Sequence, residues 1–341
     1  MTMHIELQAT IQDLVQPGKG ILAADESAPT IEKRFRAVGV ASTEENRRAY
    51  RSLLLTAPGL GQYLSGVILF EETLTQSTED GARLPEVAQR QGIVPGVKVD
   101  KGTTGLASAP GDLITQGLDG LADRLKTYKA LGARFAKWRE VYPITDCNPT
   151  ALGVRANAEA LARYAAVCQE QGLVPIVEPE VLLDGNHSPQ RCAEVTESVL
   201  HAVFHALYRN GVILELMVLK ASMVLPGKDY PRLAEPREVA GETMAVLRRT
   251  VPAAVPSVNF LSGGQSATQA TANLNALNSM FPGAPWKLSF SYARALQEPV
   301  LNTWRGRREN VAAAQEALLA RAKLNAAACM GQYDAKMEPP R

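Results

Sequence analysis

The stretch VILELMVLKASMV, residues 212–224, is apolar for most of its length and carries one lysine, Lys220, after its longest aliphatic run. It falls short of the roughly 18 residues that a membrane helix needs. A short aliphatic run of this kind reads as a buried strand. A buried ammonium is costly unless a partner or loss of its proton offsets the burial. The plain alternative is a lysine at a strand end whose head reaches water.

Seven further runs resemble it. GILAAD (20–25), GVILF (66–70), GVKVD (96–100), ARFAKWR (133–139), VPIVEPE (174–180), SVNFLSG (257–263) and KLSFSYA (287–293) recur at intervals of one strand-helix unit. Helix-like segments such as DGLADRLKTYKALG, ANAEALARYAAVCQEQG and PREVAGETMAVLRRT lie between them. Ser42 stands three residues before Glu45, the spacing of a capping box. Eight such units predict an α/β fold, a closed (β/α)8 TIM barrel. The rival is an open doubly wound sheet, which the absence of a GxGxxG turn disfavours. No linker or composition shift divides the chain, so residues 1–341 read as one barrel domain. An N-terminal helix precedes it, and the tail AKMEPPR (335–341) is expected to be mobile.

Lys and Arg total 36 against 35 Asp and Glu, without a basic block, so neither nucleic acid nor an anionic membrane is an expected partner. The N-terminus has no signal-peptide order, and a soluble cytoplasmic protein is expected. Cys147, Cys168, Cys192 and Cys329 are widely spaced and form no CxxC pair. His201 and His205 lack the HExxH glutamate. No metal and no cofactor are expected.

Barrel active sites form at the C-terminal strand ends. Asp25, Lys98, Asp100, Lys137, Arg139, Glu178, Glu180 and Lys220 all fall there, and Ser262, Gly263, Ser291 and Arg294 follow the last two strands. The period of two puts Lys98 with Asp100, Lys137 with Arg139, and Glu178 with Glu180 on shared faces. Glu215 has the opposite parity to Lys220 and is expected to face a helix. A second cation beside Lys220, such as Lys137 or Lys98, together with apolar burial would favour an uncharged amine. Such an amine attacks a ketone to give a Schiff base, whose iminium draws electrons from an adjacent carbon bond. Glu178 or Glu180 can serve as the acid/base that sheds water. The surplus of cations suggests an anionic substrate. SGGQS (262–266), with Arg294, has the groups for one phosphate. Lys33 and Arg34 are candidates for a second anion, or else part of a solvated helix face.

GKGILAADES, ENRRAYR, GVILFEETL, GVKVDKG, TQGLDGL, FAKWR, ARYAAVCQ, VPIVEPEVL, FLSGGQS and FSYARALQ together, and in order, resemble class I fructose-1,6-bisphosphate aldolases from about residue 18 to about residue 330. The resemblance implies reversible cleavage of fructose 1,6-bisphosphate to dihydroxyacetone phosphate and glyceraldehyde 3-phosphate. It implies Lys220 as the Schiff-base lysine, Glu178 as acid/base on the carbinolamine, Asp25 as the carboxylate for the hydroxyl proton, Lys137 as the cation at the reacting centre, and Glu180 as a second ordering carboxylate. Ser262, Gly263, Ser291 and Arg294 would surround one phosphate; Lys98 and Arg139 lie toward the other, with Ser27 and Arg34 nearby. A homotetramer is expected. Rival readings keep the chemistry on sedoheptulose 1,7-bisphosphate or fructose 1-phosphate, or leave a silent partner-binding scaffold. The sequence departs from the family at Leu216-Met217 and Ala221-Ser222, which flank Lys220, and at Ala293, where a glycine is usual. If that glycine served a positive φ, alanine would cost about 1 kcal/mol or more. The sequence ends Pro339-Pro340-Arg341 rather than in tyrosine, so slower turnover or a substitute proton donor is expected.

Overall fold

A computed structural model describes residues 2–338. Its strands are β1 Gly20–Ala24, β2 Leu64–Leu69, β3 Val94–Lys98, β4 Thr103–Gly105, β5 Leu113–Thr115, β6 Phe135–Tyr142, β7 Val174–Val181, β8 Val218–Ala221, β9 Ser257–Phe260 and β10 Lys287–Tyr292. Eight of them close a parallel barrel in the order β1-β10-β9-β8-β7-β6-β3-β2. The chain has the expected TIM-barrel architecture. The remaining two, β4 and β5, pair as a short antiparallel ribbon.

Side-chain alternation divides the apolar residues into two cores. Ile21, Ala23, Ile68, Val94, Phe135, Val174, Ile176 and Val218 fill the barrel, and Leu7 and Leu14 of the helix Thr2–Leu14 pack against the same cluster. The opposite faces, with Leu22, Val67, Leu69, Trp138 and Phe290, pack in the larger cluster that includes the surrounding helices. Each buried aliphatic or aromatic side chain contributes about 1.5–3 kcal/mol. This double burial explains why the strands read as continuous apolar runs. On the inward face, the residues that follow the plug are charged or polar. Asp25 follows Ala23, Lys137 follows Phe135, Glu178 follows Ile176, and Lys220 follows Val218.

Two local readings need correction. VILELMVLK is strand only from Val218; Leu214–Leu216 forms a 3-10 turn, in which Glu215 is exposed rather than facing a helix. The cap of the helix Glu44–Leu55 is Thr43, whose hydroxyl accepts from the Asn46 N–H, and not Ser42. In the tail, Ala335–Met337 forms a 3-10 turn and Glu338 pairs with Arg321 at 2.6 Å. Residues 339–341 lie outside the described residues. Among the described residues, no helix is long and apolar enough to cross a membrane.

Candidate active site

Four charged side chains from four strands meet at the C-terminal end of the barrel. Lys220 Nζ lies 2.8 Å from Glu178 Oε1. Lys137 Nζ lies 3.2 Å from Glu178 Oε2 and 2.5 Å from Asp25 Oδ2. The result is a chain Lys220–Glu178–Lys137–Asp25, alternating in sign. Asp25, Lys137, Glu178 and Lys220 are 8%, 3%, 3% and 4% exposed, which rules out a lysine head that escapes to water.

Burial alone would push both carboxyls up, but neighbouring ammonium groups outweigh it. Lys137, then Lys220, hold the Asp25 carboxyl well below the usual carboxylate range. Lys137, Lys220 and Arg139 hold Glu178 below its ordinary value. For Lys137, burial works against the charged form, and Asp25 and Glu178 reverse that and raise it. The cluster is therefore a set of mutually supporting ions in a dry site.

The expected surplus of cations narrows to Arg294, because the other four are paired. Lys98 pairs with Asp100 at 2.5 Å, and Arg139 donates to Glu180 through Nε. Lys98, Lys137, Arg139 and Lys220 thus face Asp25, Asp100, Glu178 and Glu180, four cations against four carboxylates. Nor does Lys220 stand beside a bare cation, since Glu178 lies between it and Lys137. Arg294 is exposed at the start of the helix Arg294–Trp304 and has no ion-pair partner among the described residues. Arg34 donates to Glu26, while Lys33 is exposed on the same helix.

The groups read as phosphate contacts collect after β9 and β10. Ser262 and Ser291 are buried, and the Ser291 hydroxyl has no hydrogen-bond partner among the described residues. A buried hydroxyl without a partner is uncommon and suits a ligand. A Cβ at Gly263 would sit 3.0 Å from Glu180 Oε1, and Gly264 has φ +77°, where side chains are strained. Ser266 and Gln269 then cap the helix Ala267–Met280 reciprocally. Ala293 has φ −101°, so it carries no left-handed strain in place of the family's glycine. Ser27 caps the helix Ala28–Ala37 without a side-chain bond to its backbone; its hydroxyl lies 3.2 Å from that of Thr30. No group of three side chains able to hold a metal ion occurs among the described residues.

Residues 6–340 match the family model for class-I fructose-bisphosphate aldolase. The chain belongs to that family. It is 54% identical over 333 residues to the "Probable fructose-bisphosphate aldolase class 1" of Xylella fastidiosa strain Temecula1, covering 97% of this chain and 99% of that one. It is 55% identical over 328 residues to "Fructose-bisphosphate aldolase 4, cytosolic" of Arabidopsis thaliana, covering 96% and 84%. A solved structure of fructose-bisphosphate aldolase from Plasmodium falciparum, in complex with TRAP and a small-molecule inhibitor, superposes with a TM-score of 0.96. That aldolase is 51% identical, over 98% of this chain and 96% of its own. The chain is a class I fructose-bisphosphate aldolase, a lyase of the metal-independent class.

Sequence reading missed a second buried network in this aldolase. Glu26, next to Asp25 but on the opposite face, accepts from Arg34 and from Gln297 Nε2 at 2.7 Å, and pairs with Arg51 at 2.6 Å. Gln297 also accepts from the Tyr50 hydroxyl at 3.0 Å. Burial opposes ionisation of Glu26, and Arg51 and Arg34 outweigh it, so the carboxyl stays below its ordinary value. Asn259, paired in register with Lys220, was also missed. The one available signal was the acidic pair Asp25-Glu26 in GILAADES, which is compatible with a single site residue and a solvated neighbour.

Proposed function

We propose that this aldolase cleaves fructose 1,6-bisphosphate reversibly to dihydroxyacetone phosphate and glyceraldehyde 3-phosphate, with Lys220 as the Schiff-base nucleophile. Lys220 Nζ first yields a proton to Glu178 Oε1, 2.8 Å away, and then attacks the C2 ketone. Glu178 returns a proton to the carbinolamine hydroxyl, water leaves, and an iminium forms. Asp25 takes the C4 hydroxyl proton. The C3–C4 bond breaks, its electron pair passes into an enamine, and glyceraldehyde 3-phosphate leaves as the aldehyde. Protonation at C3 and hydrolysis of the iminium release dihydroxyacetone phosphate and restore the amine. Lys137, between Asp25 and Glu178, keeps both carboxylates available as bases and puts a positive charge at the reacting centre. Glu180 steadies Arg139.

Ser262, Gly263, Ser291 and Arg294 receive one phosphate; Lys98 and Arg139 the other, with Ser27 and Arg34 beside them. We further propose a cytoplasmic homotetramer whose partners are sugar phosphates, with neither nucleic acid nor membrane. The cytosolic relatives and the family's habit support this. The observation that carries the reading is the unbroken ionic chain from Lys220 to Asp25 inside a barrel of this family. A coupled cleavage assay in EDTA tests it. Wild-type activity persists, and Lys220→Ala loses on the order of 10³-fold or more with its fold intact. Loss of wild-type activity on chelation, or substantial cleavage by Lys220→Ala, contradicts it.

A further inference from the structure

Glu140 is a fully buried carboxyl that the reaction above does not use. It lies on β6 between Arg139 and Val141, on the face turned away from the barrel interior. Among the described residues no basic group lies within 4 Å of it. Ionised carboxylates in such places are costly unless hydrogen bonds support them. Glu140 has two. Its Oε1 accepts from the Trp138 indole N–H at 2.8 Å, and its Oε2 accepts from the backbone N–H of Thr115 at 3.1 Å. Thr115 ends the β4–β5 ribbon, and its hydroxyl donates to the Arg139 carbonyl at 2.7 Å. One residue of the ribbon is thus clipped to two consecutive residues of β6, one of which carries the guanidinium that meets Glu180.

We propose that Glu140 is a positioning residue for Arg139. Through Thr115 it pins the β4–β5 ribbon to β6 and so sets the guanidinium that receives a substrate phosphate. The proposal rests on reading Arg139 as a phosphate contact. Each carboxylate oxygen accepts one bond in the ionised form. A proton on either oxygen makes it a poor, uncharged acceptor that carries an O–H of its own beside the donor, and that arm of the clip is largely lost. Burial pushes Glu140 up to about 7, against the pull of Trp138 and Thr115, and the nearby Asp100 charge adds to the rise. The clip therefore tightens as pH rises through neutrality. The groups around it are few. Asp100 comes from the segment after β3, with one carboxylate oxygen buried and without a hydrogen-bond partner among the described residues. Tyr142 follows on the same face of β6, and burial, then Glu140, pushes its phenol well up. From the helix Ala151–Glu170 come Tyr164, tilted against Trp138 with ring centres 5.5 Å apart, and Asn157, which donates to the Leu113 carbonyl of β5.

The test compares wild type, Glu140→Gln, Thr115→Val and Arg139→Ala from pH 6 to 9. KM for fructose 1,6-bisphosphate and the tryptophan emission are followed. Substrate phosphates titrate identically with every protein, so they cancel in ratios of KM. The KM ratio of Glu140→Gln to wild type rises from near one at pH 6 to about fivefold at pH 8.5, the worth of one hydrogen bond, with kcat much less affected. Wild-type emission titrates with a midpoint near 7, and the transition is absent in Glu140→Gln and in a Trp138→Phe control. Thr115→Val keeps the amide but loses the hydroxyl link, and it raises KM about fivefold at pH 8.5. If Glu140→Gln fails to fold, this variant decides the matter. A KM ratio flat across pH, an emission transition that survives in Glu140→Gln, or an unchanged KM for Thr115→Val overturns the proposal. Arg139→Ala separates the two levels. An unchanged KM there overturns the phosphate reading, whereas a raised KM with a flat Glu140→Gln ratio overturns the Glu140 inference alone.

Discussion

The buried Glu140 carboxyl makes a stability prediction that does not depend on catalysis. Its ordinary value of 4.5 is raised to about 7 in the fold. A raised carboxyl favours the folded protein at low pH, where it is neutral in both states. That contribution is lost as pH climbs through 7, because folding must then bury the charge. A tenfold change in proton affinity is worth about 1.36 kcal/mol, so the full loss is about 3.4 kcal/mol. Between pH 5 and pH 8.5, the two titration curves give a change of about 2.5 kcal/mol. Glu140→Gln removes this dependence. Like the protonated carboxyl, the amide keeps one acceptor for the Trp138 indole and the Thr115 amide, so at low pH the two proteins differ little. Urea unfolding of both proteins at pH 5 and 8.5 is the assay. The two proteins are about equally stable at pH 5. At pH 8.5 the variant is the more stable by about 2.5 kcal/mol. A difference between the two proteins that is the same at both pH values would refute the reasoning, and so would one that grows with pH in the opposite sense.

Ser291→Ala removes a buried hydroxyl that has no protein partner among the described residues, so thermal unfolding changes little. KM for fructose 1,6-bisphosphate rises about fivefold, as steady-state assays will show. Gly264→Ala meets φ +77° and places a Cβ 2.6 Å from Leu183 Cδ1, so it loses about 1–3 kcal/mol in denaturant titrations. Asp25 and Glu178 are both held low in the fold, so their contribution to stability is present above the usual carboxylate range and is lost as pH falls below about 4. Urea midpoints taken from pH 6 down to pH 3 will show the loss, and Lys137→Met will blunt it.

The barrel was legible because its strands are buried on both faces. VPIVEPE is apolar in alternate registers at once, and the strand it predicts runs from Val174 to Val181. The same logic fails at VILELMVLK. An aliphatic run also suits a buried approach segment, and only Val218–Ala221 pairs as strand. Period two puts Lys137, Glu178 and Lys220 on inward faces, but period alone does not show which partner each meets. The alternation of sign along Lys220, Glu178, Lys137 and Asp25 depends on β6, β7 and β8 being neighbours and on β1 lying across the barrel. Glu26 and Glu140 escaped notice for a common reason. Each follows a residue aimed into the barrel, and in sequence an acidic residue beside a site looks like a solvated neighbour. Their roles arise from the layer outside the strands, through Arg51 and Gln297 for one and through Trp138 and Thr115 for the other.

The most direct measurement is reductive trapping. The protein is treated with borohydride in the presence of dihydroxyacetone phosphate and EDTA, and the modified peptide is identified by mass spectrometry. A single covalent adduct on Lys220, with matching loss of activity, is the expected result. No adduct, or one carried by Lys137 or Lys98 instead, would contradict it.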